Sequence, residues 1–115
     1  MRALFALVLL FAVLTPQPSW ADVAKGQEIY GKLCASCHGP GGAGDGPIAM
    51  GLPPEQKPRN FTTGEFKIAS DDIKMKDVIK KGGIAFGLSP LMAPQPALSD
   101  DDLTALVSFV RSLKK

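Results

Sequence analysis

The sequence predicts a small all-α domain with helices separated by long irregular segments. Apolar residues recur at helical spacing in three stretches, and no alternating strand pattern is evident. The 12 glycines and 10 prolines in 115 residues imply many loops. A chain this short buries only a small core and often needs an additional cross-link or bound group to be stable. Something besides regular secondary structure must therefore organise its loops.

The first helix is predicted from about Val23 to Cys37, with Asp22 as a candidate N-cap. Its apolar side carries Ile29, Tyr30 and Leu33 at helical spacing.

The second helix is predicted over about 71–81, with Ser70 as its N-cap. Gly82-Gly83 is expected to end it. Its apolar stripe consists of Met75, Val78 and Ile79.

The third helix has the strongest pattern. Ser99 and Asp102 predict a capping box, and Leu98 can pack against Leu103 as a hydrophobic staple. Apolar residues then repeat at helical spacing, at Leu103, Leu106, Val107, Val110 and Leu113. No regular secondary structure is predicted for the stretches 39–64 and 83–97. Loops of such length are unusual in a compact domain unless they enclose a bound group.

Residues 1–21 have the features of a cleaved secretory signal peptide. Met1-Arg2 is basic, Ala3–Leu14 is apolar and uncharged, and Ser19-Trp20-Ala21 offers small residues at a cleavage site. An uncleaved anchor is the alternative, but the apolar run is shorter than the roughly 20 residues of a spanning helix. We expect a single domain over residues 22–115.

The charge balance excludes one class of partner. The formal net charge of +2 would fall to +1 with the loss of Arg2, because all 11 acidic residues follow the cleavage site. Nucleic-acid binding calls for a concentrated basic face, which this chain does not have.

The stretch CASCHG contains both cysteines and the only histidine of the chain, Cys34, Cys37 and His38. A thiol–disulfide catalyst normally sits in a βαβ setting, which is not predicted here. A structural zinc site needs four ligands, and these residues supply three. A disulfide across two residues would be strained and would leave the histidine unexplained.

The remaining interpretation is covalent haem attachment, for which C-x-x-C-H is the signature. The thiols of Cys34 and Cys37 add to the two vinyl groups of the porphyrin, and the imidazole of His38 then points at the iron. Export fits this chemistry, since attachment takes place outside the cytoplasm. Because no other histidine exists, the sixth iron position must hold Met, an unusual ligand such as Lys, or nothing. A second haem is excluded for lack of cysteines.

Three methionines remain after cleavage. Met75 lies on the apolar stripe of the second helix, where packing explains it. Met50 lies in a loop close behind the motif. Met92 lies between Pro90 and Pro94, and such a rigid irregular loop is well suited to hold a thioether against iron, so Met92 is favoured.

The chain contains YGKLCASCHG at 30–39, GAGDGP at 42–47 and PLMAPQPALSDDDLTALVSFVRSL at 90–113. With these stretches the sequence resembles the small class I cytochromes c from Asp22 to Leu113. The resemblance implies the cytochrome c-like fold, with three or more helices and long loops wrapped around one covalent haem c. It also implies that Met92, followed here by Ala93 and then Pro94, is the sixth ligand.

The resemblance implies further roles. Gly26 and Tyr30 are expected to contact the last helix, with Phe109 as the aromatic partner, and Gly26 lets the two backbones cross closely. The carbonyl of Pro47 is expected to accept a hydrogen bond from the axial imidazole. Arg59 is a candidate partner for a haem propionate, because Arg binds carboxylates with two parallel hydrogen bonds; a solvated loop charge is the alternative.

The predicted function is that of a periplasmic monohaem electron carrier, not an enzyme. Its expected partners are periplasmic redox proteins that donate and accept electrons, and it is expected to be a monomer without stable membrane insertion. The alternatives are a haem-based sensor or small-ligand binder, and a cytochrome subunit of a larger redox complex. A thiol–disulfide enzyme is a remote alternative.

Overall fold

The computed structural model describes residues 9–12 and 19–115, and all regular secondary structure in this part of the chain is helical. It contains four α-helices, with short 3-10 turns in the loops before the third and the fourth. They are α1 (Trp20–Leu33), α2 (Ala35–His38), α3 (Asp72–Lys81) and α4 (Asp100–Ser112). The all-α prediction is confirmed. Most of the predicted signal peptide lies outside the described residues, so its cleavage stays a prediction.

The first helix differs from its prediction at both ends. The backbone N–H of Asp22 donates to the side chain of Ser19, which makes Ser19 the N-cap and places Asp22 in the first turn. In the full-length chain Ser19 therefore takes the place of the predicted cap Asp22, because its hydroxyl accepts from this N–H, although the predicted cleavage after Ala21 would remove Ser19. At the other end Cys34 leaves helical geometry, with φ −121° and ψ −33°. The chain therefore re-enters a separate short helix, α2, that carries Cys37 and His38.

The helix α3 begins one residue later than predicted. Asp71 is its N-cap, and its carboxylate accepts from the N–H of Lys74 at 2.8 Å. Ser70, the predicted cap, instead offers its carbonyl oxygen to the guanidinium of Arg111. The predicted end is confirmed, since Gly82 follows the helix with φ +82°, a left-handed value that favours glycine.

The helix α4 confirms its sequence signals. Ser99 accepts from the N–H of Asp102, and Asp102 accepts from the N–H of Ser99, both at 3.1 Å. Its apolar face forms the centre of the core with Tyr30, Met75 and Ile79 from the other two long helices. The α4 residues in this cluster are Leu103, Leu106, Val107, Phe109 and Val110.

The α1–α4 crossing confirms the contact that the resemblance implied. The rings of Tyr30 and Phe109 pack with centroids 5.0 Å apart and planes inclined by 59°. Gly26 lies directly against the carbonyl of Ala105, so a side chain at this position would collide with the α4 backbone. The crossing therefore depends on glycine for its close approach rather than for a special backbone conformation.

Replacing Gly26 with alanine is expected to destabilise the protein. The added Cβ would meet the Ala105 carbonyl and lie 2.8 Å from the Cβ of Phe109. Overpacking lowers the free energy of unfolding by about 1–3 kcal/mol. For Gly26→Ala to be less stable, this loss must exceed the roughly 1 kcal/mol by which alanine stabilises a helix relative to glycine. Gly31→Ala is the matched control on the same helix, because nothing lies within 4 Å of its added Cβ. Thermal unfolding of the haem-loaded proteins should show a lower midpoint for Gly26→Ala only, and equal midpoints would refute the close crossing.

The loop after α2 folds back onto that helix. The N–H groups of Gly44, Gly46 and Ile48 donate to the carbonyls of His38, Cys37 and Ser36, at 2.8, 3.1 and 3.0 Å. Three 3-10 turns follow, at Ala49–Gly51, Pro54–Gln56 and Phe61–Thr63. The predicted irregular stretch is thus held by specific backbone bonds. Among the described residues no helix has the length and apolar character needed to cross a membrane.

Candidate functional site

One cavity of about 910 Å³ lies between the helices and the two long loops. This volume falls at the upper end of the roughly 300–1,000 Å³ of ligand and cofactor sites. Of the six predicted site residues, only Pro47 does not line the cavity. Four of the others have side chains that could hold a metallated macrocycle, namely Cys34, Cys37, His38 and Met92. Arg59, the fifth, also lines it.

The two thiols lie at the junction of α1 and α2. Cys34 and Cys37 are both partly buried and form no disulfide. Burial, followed by the neighbouring Cys37, raises the pKa of the Cys34 thiol to about 11. A thiol–disulfide enzyme requires the opposite, a lowered thiol pKa. The site therefore disfavours that alternative.

His38 ends α2 with its ring in a defined orientation. Its Nδ1 lies 3.2 Å from the carbonyl oxygen of Arg59, and its ring stacks on Phe61 with centroids 4.4 Å apart and planes inclined by 17°. When Nδ1 carries the proton, it donates to this carbonyl and leaves the lone pair of Nε2 free for a metal. Burial lowers the pKa of His38, which favours the neutral ring that a metal ligand requires.

The hydrogen-bond contact of His38 in the structure differs from the predicted one to Pro47, whose role stays a prediction. The structure places the backbone carbonyl of Arg59 at Nδ1, whereas Pro47 is exposed and does not line the cavity. The reason lies in the preceding residue. Gly46 packs against the backbone of Ser36 and donates to the carbonyl of Cys37, so the chain turns outward at Pro47.

Arg59 reaches the site with both its backbone and its side chain. The side chain is partly buried at the cavity wall, and no ion pair to it is found in the described part of the chain. The guanidinium thus retains its donors for an anionic group in the cavity. Its role as a propionate partner stays a prediction.

The three methionines occupy different environments. Met92 is partly buried at the cavity wall, and its loop is fixed by bonds from the Met92 N–H to the Ser89 carbonyl and from the Gly83 N–H to the Met92 carbonyl. Met75 is 4% exposed and belongs to the core cluster, although it also reaches the cavity. Met50 is 81% exposed and lies outside the cavity wall. The sequence-based preference for Met92 is consistent with this arrangement.

Two aromatic residues of the site were not predicted. Phe61 and Phe66 both line the cavity, and their rings stack with centroids 5.8 Å apart and planes inclined by 24°. They lie in a stretch without helical or strand periodicity, so no pattern assigns them to a face. The only sequence signal is that they are the two aromatic residues between His38 and Asp72.

A helical shell, a large cavity and a C-x-x-C-H motif opening into it define a small c-type cytochrome. Comparison with known proteins agrees: the model of the family described as Cytochrome c matches residues 23–114. The chain belongs to the cytochrome c family. It is accordingly a haem c electron-transfer protein, with Cys34 and Cys37 supplying the attachment motif.

Individual relatives support the same assignment. The chain is 34% identical over 96 residues to cytochrome c-554(547) of Halothiobacillus neapolitanus, a match that covers 81% of this chain and 98% of that protein. It is also similar to a chain of the reducing HAO-like protein complex Kustc0457/Kustc0458 of Kuenenia stuttgartiensis, with a TM-score of 0.66 and 30% identity. That match covers 78% of this chain and 41% of the other, so this chain corresponds to less than half of that one.

The residues present fit a covalently attached haem c. The cavity is large and mostly walled by apolar side chains, both thiols of the attachment motif open into it, and the only imidazole of the chain lies beside them. The lowered pKa of His38 favours the neutral imidazole that metal ligation requires.

Proposed function

We propose that this protein is a periplasmic electron carrier in which His38 and Met92 are the axial ligands of a single haem c. The observation that carries the proposal is the convergence of both cysteines, the only histidine and one loop-fixed methionine on one cavity. The predicted signal peptide supports a periplasmic location. Arg59 is proposed to bind a propionate at the same wall.

The bound haem supplies one-electron redox chemistry. The side chains of this protein decide what else can happen there. His38 and Met92 together would fill both axial positions and leave no site for a substrate or gas. The thioether of a methionine ligand raises the reduction potential, and apolar walls from Phe61, Leu106 and Val110 act in the same direction by keeping water away. Outer-sphere electron transfer is then the remaining activity.

An optical spectrum of the exported, haem-loaded protein tests the proposal. The ferric form is expected to show the weak near-red band of methionine ligation, and the ferrous form is expected not to bind CO at neutral pH. A protein that lacks the band and binds CO readily would instead be a sensor or small-ligand binder. In that case the electron-carrier proposal fails.

A second candidate role has one supporting observation. The similarity to a chain of the reducing HAO-like protein complex favours a cytochrome that docks into a larger redox assembly. We propose the free, monomeric carrier, because the chain covers nearly all of cytochrome c-554(547). The mass of the native protein released from the periplasm distinguishes the two, since a monomer would elute as a single domain and a subunit would elute with its partners.

A further inference from the structure

A column of stacked groups runs from the surface of the protein to His38. The His38 ring stacks on Phe61 at 4.4 Å, Phe61 stacks on Phe66 at 5.8 Å, and the guanidinium carbon of Arg111 lies 4.6 Å from the centroid of the Phe66 ring. The ring–ring separations are typical of aromatic pairs, and the last distance is within cation–π range. The column joins α4 to α2 through the loop that separates α2 from α3.

Arg111 is fixed at the outer end of this column. Its Nε donates to the carboxylate of Asp72 at 3.0 Å, and its Nη2 donates to the carbonyls of Ala69 and Ser70 at 3.1 and 3.3 Å. Only a planar guanidinium can donate in these directions and also place a flat face over the Phe66 ring. The ammonium group of a lysine could not do both. An ion pair with Asp72 alone would not need this arrangement.

The two phenylalanines are held in different ways. The backbone of Phe61 is anchored, because its N–H donates to Gly42 at 2.7 Å and the next residue, Thr62, accepts from the N–H of Lys115 at 2.9 Å. For Phe66 no backbone hydrogen bond is found within the described residues. The orientation of the Phe66 ring therefore depends on side-chain packing, against Phe61, Arg111 and the core cluster.

We propose that Arg111 is a positioning residue for the axial imidazole, acting through the Phe66–Phe61 column to fix the plane of the His38 ring. The inference rests on the proposed function, since it takes His38 as an axial ligand. The hydrogen bond from Nδ1 to the Arg59 carbonyl restrains the ring at one atom and still allows it to tilt. A flat face at 4.4 Å with a 17° inclination restrains the plane itself.

The inference is tested on the haem-loaded protein with Arg111→Gln and Phe66→Leu. Two properties report on the axial ring: the reduction potential, and the pattern of haem-methyl resonances in the NMR spectrum of the ferric protein, which depends on the orientation of the axial ligand planes. Both variants are expected to shift that pattern in the same sense and to lower the potential, because a loosened column admits water beside the imidazole.

Two control variants separate positioning from stability. Lys25→Gln removes another ion pair of α4, from Lys25 to Asp102 at 3.0 Å, which lies off the column. It is expected to leave the resonance pattern and the potential unchanged. Phe66→Tyr keeps an aromatic ring between Phe61 and Arg111, and is expected to retain the values of the unsubstituted protein.

The possible results lead to different conclusions. If Arg111→Gln and Phe66→Leu lower the unfolding midpoint but leave resonances and potential unchanged, Arg111 only ties α4 to α3 and the inference is wrong. If Phe66→Tyr moves both properties as far as Phe66→Leu, ring stacking is not the cause and the inference is again wrong. If the unsubstituted ferrous protein shows no ring-current-shifted histidine resonances, His38 is not a ligand, and the proposed function fails together with the inference.

Discussion

Replacing both Cys34 and Cys37 with serine is expected to leave the protein without covalently held haem. Serine is close to cysteine in size, but it lacks the sulfur that forms the thioether with a vinyl group. Acid–acetone extraction of the unsubstituted protein should leave the colour with the polypeptide. The same treatment of the double variant should remove all of it, and most of the variant should already be colourless on purification.

Loss of attachment is also expected to destabilise the fold. The cavity of about 910 Å³ is lined by residues of α2, both long loops, α3 and α4, so all of these elements face the same space. Without the thioethers the loops lose the group they enclose, and binding that stabilises only the folded state is lost with it. Far-UV circular dichroism should show reduced helix content or a much lower unfolding midpoint.

Ser36→Ala is the matched control for this experiment. Ser36 lies between the two thiols on α2 and is exposed, and its only described hydrogen bond uses the backbone carbonyl. This variant should keep both the colour and the stability. A coloured double-serine variant after extraction, or unsubstituted protein that releases its haem, would contradict the attachment at Cys34 and Cys37.

Local signals in the sequence predict local structure well in this protein. The capping box of Ser99 and Asp102 and the glycine end of α3 are confirmed because each depends on groups within four residues of one another. The two incorrect caps follow from the same chemistry. Ser19, three residues before Asp22, and Asp71, directly after Ser70, are the better-placed acceptors, and propensity alone does not decide between such nearby oxygens.

The candidate site shows a different limit of prediction from sequence. The residues that carry chemistry in their side chains are recognisable from sequence, and the structure brings them to one cavity. The acceptor for the His38 imidazole is a backbone carbonyl, and every residue has one. Whether Pro47 or Arg59 supplies it depends on how Gly46 packs on α2 and on the path of the loop between His38 and Arg59, which are 21 positions apart. Such tertiary placement leaves no pattern in the sequence.

The Arg111–Phe66–Phe61 column is beyond sequence reasoning for the same reason. Arg111 and Ala69 are separated by 42 residues, and their contact depends on α4 lying beside the start of α3. From the sequence, Arg111 is only a basic residue in the last turn of a helix, where it would be expected to interact with the helix dipole.

Replacing Met92 with alanine is expected to produce the largest change in the properties of the iron site. In the proposed ligation the thioether of Met92 occupies the sixth position, and alanine offers no donor there. The near-red band of the ferric protein should disappear, and CO should bind the ferrous form. The reduction potential should fall by on the order of 0.1 V, part of the roughly 0.8 V range over which axial ligands set haem potentials. The fold should survive, because the backbone bonds of Met92 to Ser89 and Gly83 do not use its side chain.

Two conservative variants make this prediction specific to Met92. Met75→Leu nearly conserves volume at a residue buried in the core cluster, and Met50→Leu changes a residue that is 81% exposed and outside the cavity wall. Both should keep the near-red band, the potential and the resistance to CO. If Met92→Ala retains the band while either of the other substitutions removes it, that other methionine is the ligand. If all three retain it, the band does not arise from ligation by a single methionine, and the assignment of Met92 is wrong.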